Sequence, residues 1–151
     1  MTHAKHTAGP ADFVARRDIV INAPPEAVWK ALTDNQLHSR IMFGAEVETD
    51  WQEGSRITWR GEWQGKSFED KGEILQLSEE RELKMSHYSA MSGQPDEPEN
   101  YHVVDIKLEP DSDGTLVALS QDNNPNQDAA DHAGENWAMM LKNLKDVVEA
   151  G

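Results

Sequence analysis

There is no cysteine among the 151 residues, which removes disulfides, thiolate nucleophiles and cysteine-ligated metals and fits a reducing compartment. Basic residues are scarce: 14 Lys and Arg stand against 28 Asp and Glu, a formal net charge of −14. A chain this acidic lacks the Lys and Arg that displace counterions from phosphate backbones, so nucleic acid is not expected as a partner. Anionic lipid surfaces repel it for the same reason. No apolar run approaches the roughly 20 residues of a membrane-spanning helix, and Met1-Thr2-His3-Ala4-Lys5-His6 has no apolar stretch of the kind a secretory signal carries. No membrane contact and a cytoplasmic location are therefore expected. Hydrophobic residues make up only 37%, low enough to raise the question of disorder. They nevertheless fall into strand and helix periods and include five Trp, so the polarity is assigned to loops and to an outer sheet face.

Residues 1 to 16, with Gly9 and Pro10 and no sustained period, are expected to form a flexible tail ahead of one domain over 17–151. Arg17 to Asn22 reads as a strand, and Pro24-Pro25-Glu26 then starts a helix by fixing φ and placing an acid in its first turn. A second short helix is expected over Gln36 to Ile41. The period then becomes two: Ile57, Trp59, Gly61 and Trp63 alternate with Arg56, Thr58, Arg60 and Glu62. Strands follow over Phe68 to Leu77 and Glu82 to Tyr88, the latter with Leu83, Met85 and His87 on one side. Ser89 to Asn100 carries Gly93, Pro95 and Pro98 and reads as a long mobile loop able to gate a site. Tyr101 to Glu109 and Thr115 to Gln121 form a hairpin about Pro110-Asp111-Ser112-Asp113-Gly114. Trp137, Met140, Leu141, Leu144 and Val148 recur at helical spacing over about five turns. This order, a strand, two short helices, about six strands and a long helix with hairpin-length connections, predicts an α+β fold with an antiparallel sheet.

Ile21-Asn22-Ala23-Pro24-Pro25-Glu26-Ala27-Val28-Trp29-Lys30-Ala31-Leu32-Thr33-Asp34 resembles the opening signature of the SRPBCC superfamily, which includes START domains, birch pollen allergen relatives and polyketide cyclases. His132-Ala133-Gly134-Glu135-Asn136-Trp137 with Leu141, Leu144 and Lys145 resembles the C-terminal helix of the branch named after the activator of the heat-shock protein 90 ATPase. Gly72-Glu73-Ile74 and Val104 to Pro110 resemble strands of that branch. The resemblance spans about residues 17 to 150. It implies a helix-grip fold, a curved antiparallel sheet wrapped around the long C-terminal helix, with a cavity between them. Members of the family commonly carry a Trp after the second helix; Arg40-Ile41-Met42-Phe43 stands here instead, so that wall of the cavity is expected to differ.

On that fold, strand parity predicts a lining of Ile57, Trp59, Trp63, Phe68, Ile74, Leu83, Met85, His87, Val104, Ile106, Val117 and Leu119, with Trp137, Met140, Leu141 and Leu144 from the helix. The plainer alternative for each is core alone, since close packing is the default of an interior. Asp70, His87, His102, Thr115 and Gln121 share the inward parity. Burying an unpartnered polar group costs about 1–3 kcal/mol, so each is expected to have a partner or a purpose. That purpose would be to orient a ligand's carbonyl or hydroxyl or, for a His, to act as acid or base. The plainer alternative puts His87 and His102 at the sheet edge or on backbone partners and makes Asp70 a solvated charge beside Lys71. His132 is placed to close the mouth or pack on Trp137. Ser86 and His87 are adjacent on a strand and point to opposite faces, so they are no dyad. No metal-ligand spacing, calcium loop or phosphate loop is present.

The expected ligand-binding set is Trp59, Trp63, Phe68, Met85, His87, His102, Ile106, Val117, Trp137, Met140 and Leu141, with no catalytic residue, metal or cofactor assigned. The expected function is non-catalytic binding, transport or sensing of a small apolar molecule, a lipid, a polyketide-like compound or an aromatic. One alternative is a cyclase- or hydrolase-like enzyme using His87, His102 or Asp70 for proton transfer. Another, implied by the resemblance, is a protein-interaction domain with a chaperone as partner.

Overall fold

The computed structural model describes residues 13–150. The chain runs β1 (Phe13–Ile21), α1 (Pro25–Leu32), α2 (Asn35–Ile41), β2 (Glu46–Glu48), β3 (Arg56–Trp63), β4 (Lys66–Ser78), β5 (Glu82–Ser89), β6 (His102–Asp111), β7 (Gly114–Asn124) and α3 (Gln127–Ala150). All pairings are antiparallel in one sheet of order β1-β7-β6-β5-β4-β3-β2. Register shifts between Phe13 and Ala15 and between Ile74 and Gln76 add the local twist that curves a sheet. α3 lies in the concavity, against β1, α1 and α2, which is the helix-grip arrangement.

Local chemistry sets the element ends. α1 begins at Pro25 with Glu26 in its first turn and Lys30 in its last, each charge complementing the helix dipole. α2 is capped by Asp34, whose carboxylate accepts from the backbone N–H groups of Gln36 and Leu37, both at 3.0 Å. Gln64 and Gly65, with φ of 53° and 80°, make the two-residue turn joining β3 to β4. At the β6–β7 turn Gly114 has φ of 137°, and a Cβ there would stand 2.1 Å from the Ile21 carbonyl oxygen, so the close approach of β1's end requires glycine.

Two expectations are corrected. β1 starts at Phe13, so residues 13–16 belong to the sheet rather than to a tail: the Asn124 side chain donates to the Phe13 carbonyl at 2.8 Å and ties that end down. The rest of the expected tail lies outside the described residues. α3 has 24 residues, longer than five turns, because polar residues from Gln127 onward continue the helix ahead of its apolar stripe. In the 89–100 segment, Gln94 and Asp96 pack against the convex side, while Ser89 stays in register with Asp70. Tyr88 has the outward parity of β5; its hydroxyl donates to the Gln94 carbonyl at 2.6 Å and its ring stacks on Tyr101. Asp96 accepts from the Tyr101 hydroxyl and pairs with Lys71.

The core is aliphatic where the sheet meets α1 and the second half of α3. Ile21, Val28, Leu32, Ile57, Ile74, Leu83, Ile106, Val117 and Leu144 are fully buried there, each contributing about 1.5–3 kcal/mol by leaving water.

Candidate functional site

The concave face changes character toward the first half of α3. Register pairs Trp59 with Asp70, His87 with His102, and Val104 with Gln121, which brings polar side chains onto the inward face of adjacent strands. β4 and β5 approach so closely here that a Cβ on Gly72 would lie 1.8 Å from the Ser86 carbonyl oxygen. Opposite them stand Trp137 and Met140 of α3, and His38 and Met42 at the end of α2.

The polar groups form a connected series. His38 is completely buried; its Nδ1 donates to the Leu32 carbonyl at 2.8 Å and its Nε2 accepts from Trp59 Nε1 at 3.2 Å. Burial holds its pKa down at about 4, so it is a neutral structural group at physiological pH. The Trp59 ring meets His87 edge-on at 5.3 Å, and His87 stacks on His102 at 6.2 Å. His102 Nδ1 donates to the Asp122 carbonyl at 2.8 Å. Trp137 Nε1 donates to Gln121 Oε1 at 2.6 Å, and Gln121 Nε2 donates to Asn124 Oδ1 at 3.0 Å.

The Asp70–His87 pair stands apart. His87 Nε2 lies 3.0 Å from Asp70 Oδ2, and the two side chains keep 20% and 19% of their surface, which places them at the rim. Yet Asp70 Oδ1 and His87 Nδ1 are themselves buried and have no hydrogen-bond partner within the protein. Beside them is a void lined by His38, Met42, Trp59, Met85, His87, Val104, Trp137 and Met140. Its volume is about 10 Å³, room for about one water. The ligand-sized cavity expected from the fold is therefore closed in this structure, with the Trp and Met side chains filling the space.

Of the expected residues, Trp59, Met85, His87, Trp137 and Met140 line the void. Phe68 is half-buried, its ring 3.1 Å from where a Cβ of Gly61 would be. The Trp63 side chain lies outside the described residues. Ile106, Val117 and Leu141 are buried in the aliphatic core, and His102 is engaged with backbone beside the void rather than in its lining. Thr115 is fully buried and donates to the Ala23 carbonyl at 2.7 Å, a structural role. His132 is exposed. Ser86 Oγ accepts from the Glu73 N–H on the outer side. His38 and Met42 were missed, although the spacing of His38 to Ile41 and Met42 places all three on one helix face. Among the described residues no group of three His, Asp or Glu is placed to hold a metal, and no helix is long and apolar enough to cross a membrane.

With this geometry the chain can be set beside known proteins. Residues 22–149 match the family described as activator of Hsp90 ATPase homolog 1-like protein. A protein of Cytophaga hutchinsonii solved in solution is 48% identical, with a TM-score of 0.79 over 91% of this chain and 94% of its own. CalU16 of Micromonospora echinospora is 25% identical, with a TM-score of 0.68 over 93% of this chain and 80% of its own. The Aha1 dimer of Colwellia psychrerythraea shares the fold at 22% identity, with a TM-score of 0.71 over 90% and 96%. No curated protein matches the chain.

Proposed function

Because the chain belongs to the family of activator of Hsp90 ATPase homolog 1-like proteins, a branch of the SRPBCC superfamily, we propose that it binds a small, largely apolar molecule between the polar end of the concave sheet and α3, without catalysis. The observation that carries this reading is the pair of buried polar atoms without partners, Asp70 Oδ1 and His87 Nδ1, in a pair whose His87 lines an aromatic and thioether-walled void. Leaving each unpartnered costs about 1–3 kcal/mol, a cost that a ligand's polar group offsets. Ligand pockets combine such a few polar groups with apolar walls.

Pockets for small molecules run to roughly 300–1,000 Å³, so binding requires the closed void to widen. Trp137 and Met140 sit on a helix rather than in the sheet ladder, and the Trp137 indole is held by its bond to Gln121 Oε1; outward movement of these side chains is the opening step. Titration of the protein with lipid, polyketide-like and aromatic compounds, followed through the indole N–H resonances of Trp59 and Trp137, tests the reading. Saturable shifts are expected for at least one class, weakened tenfold or more by Trp59→Ala or Trp137→Ala. If no class shifts either resonance, the reading fails.

The Asp70–His87 contact favours a second reading, a proton-transfer enzyme of the cyclase or hydrolase kind. There Asp70 orients the ring, and Nδ1 takes a proton. Turnover of a bound compound that His87→Ala abolishes would support it; recovery of that compound unchanged would remove it.

A further inference from the structure

We infer that the molecule taken by this site presents a hydrogen-bond donor, a hydroxyl or an N–H carried on a flat apolar body, to Nδ1 of His87. The inference rests on the binding reading above and narrows its ligand class.

An imidazole recognises different partners according to which nitrogen holds the proton, and here the surroundings choose. Asp70 Oδ2 lies 3.0 Å from His87 Nε2. An ionised carboxylate only accepts, so in the neutral ring the proton sits on Nε2 and Nδ1 carries the lone pair. No group of the protein donates to that lone pair. Exchanging the two nitrogens by turning the ring would break the Asp70 bond, and the ring is held between the edge contact of Trp59 and the face of His102.

The neighbouring histidine shows the satisfied case. His38 donates through Nδ1 to Leu32 and accepts through Nε2 from Trp59, so both of its nitrogens are used. Asp70 Oδ1, the other buried atom of the pair without a partner, is also an acceptor, so with the ring neutral both open positions call for donors. A ketone or carboxylate would set its own lone pairs against them, whereas a phenol or a secondary amine brings a hydrogen. The rest of the lining fits a flat apolar body: Trp59 and Trp137 offer ring surfaces, and the thioethers of Met42, Met85 and Met140 adapt their shape and pack well on aromatics.

The test uses the full chain and three probes that share one body: 2-naphthol, which donates and accepts; 2-methoxynaphthalene, which only accepts; and naphthalene, which does neither. Binding is read from the Trp59 and Trp137 indole resonances. In the wild type 2-naphthol is expected to bind about tenfold more tightly than 2-methoxynaphthalene, the discrimination of one well-placed hydrogen bond, and in His87→Phe the two should bind alike. Nitrogen chemical shifts of the His87 ring in the wild type give a readout independent of any variant, with Nε2 expected protonated and Nδ1 bare. Equal affinities in the wild type, a preference that survives His87→Phe, or a proton on Nδ1 of the neutral ring would overturn the donor inference while leaving the binding reading in place. Failure of all three probes to bind would overturn the binding reading itself and the inference with it.

Discussion

At one end of the concave face Leu83, Ile106, Leu108 and Val117 meet Val28, Leu32 and Leu144, all buried and all aliphatic. At the other, the same strands carry His87, His102 and Gln121, and β4 adds Asp70, beneath Trp59 and Trp137. At the aliphatic end Thr115 is satisfied by the Ala23 carbonyl and the rest is set by volume and parity. Each residue at the polar end is positioned by a partner elsewhere in the chain: His38 by Leu32 and Trp59, Trp137 by Gln121, Gln121 by Asn124. Two atoms there, Asp70 Oδ1 and His87 Nδ1, still lack a partner. One continuous sheet thus holds a region built for packing and a region whose hydrogen-bond capacity exceeds what the fold uses, and the second is where a ligand has something to gain.

The sharpest way to break this contrast is at the aliphatic end. Ile106→Ala should cost about 2–5 kcal/mol in urea unfolding, since the residue is fully buried; a cost well under 1 kcal/mol would mean that the end is not close-packed. Next is His38→Gln. His38 titrates at about 4 in the fold against 6.5 for an ordinary imidazole. Below the ordinary value the unfolded chain takes up a proton that the folded one refuses. The contribution is therefore complete above pH 6.5 and is lost as pH falls toward 4, roughly 3 kcal/mol in all. Unfolding free energies measured from pH 7 to pH 4 should show that loss in the wild type relative to the variant, which should itself be less stable at pH 7. Trp137→Phe should cost about 1 kcal/mol by removing the donor to Gln121 Oε1, read from the shift in the urea midpoint.

The smallest effect lies on the convex face and has the opposite sign. Burial, with the neighbouring Glu82 carboxyl, pushes Asp105 up to about 6. The folded state therefore holds a proton between about pH 4 and 6 that the unfolded chain has released, and stability falls as pH rises through that window. The site is half-buried and flanked by Lys84 and Lys107, which reduces the effect. Asp105→Asn should stabilise the protein by up to about 1 kcal/mol at pH 7 and leave it nearly unchanged at pH 4.

The sequence carried the aliphatic end almost whole, because period two and helical spacing place Leu83, Ile106 and Leu144 without reference to partners. The same rules placed Trp59, Met85, His87, Trp137 and Met140 correctly on the inward face. They could not assign contacts. Asp70 looked equally like a solvated charge beside Lys71, and its meeting with His87, 17 residues on, depends on how β4 and β5 align about the irregularity between Ile74 and Gln76. Breaker residues in 89–100 ruled out a strand but did not reveal on which side of the sheet the segment folds. His38 was hidden by the shortness of α2, seven residues, where one face is too brief to stand out. The size of the void depends on the rotamers of Trp137 and three methionines, which no spacing encodes.

Native mass spectrometry of the gently purified protein, beside its denatured mass, tests most directly whether the polar end is a binding site. A reproducible small adduct that disappears on denaturation is expected, carrying a hydroxyl or N–H on an apolar body. The bare mass alone, together with no response of the Trp59 and Trp137 resonances to apolar compounds, would contradict it and leave a closed core whose outer surface, facing a chaperone or another protein, carries the function.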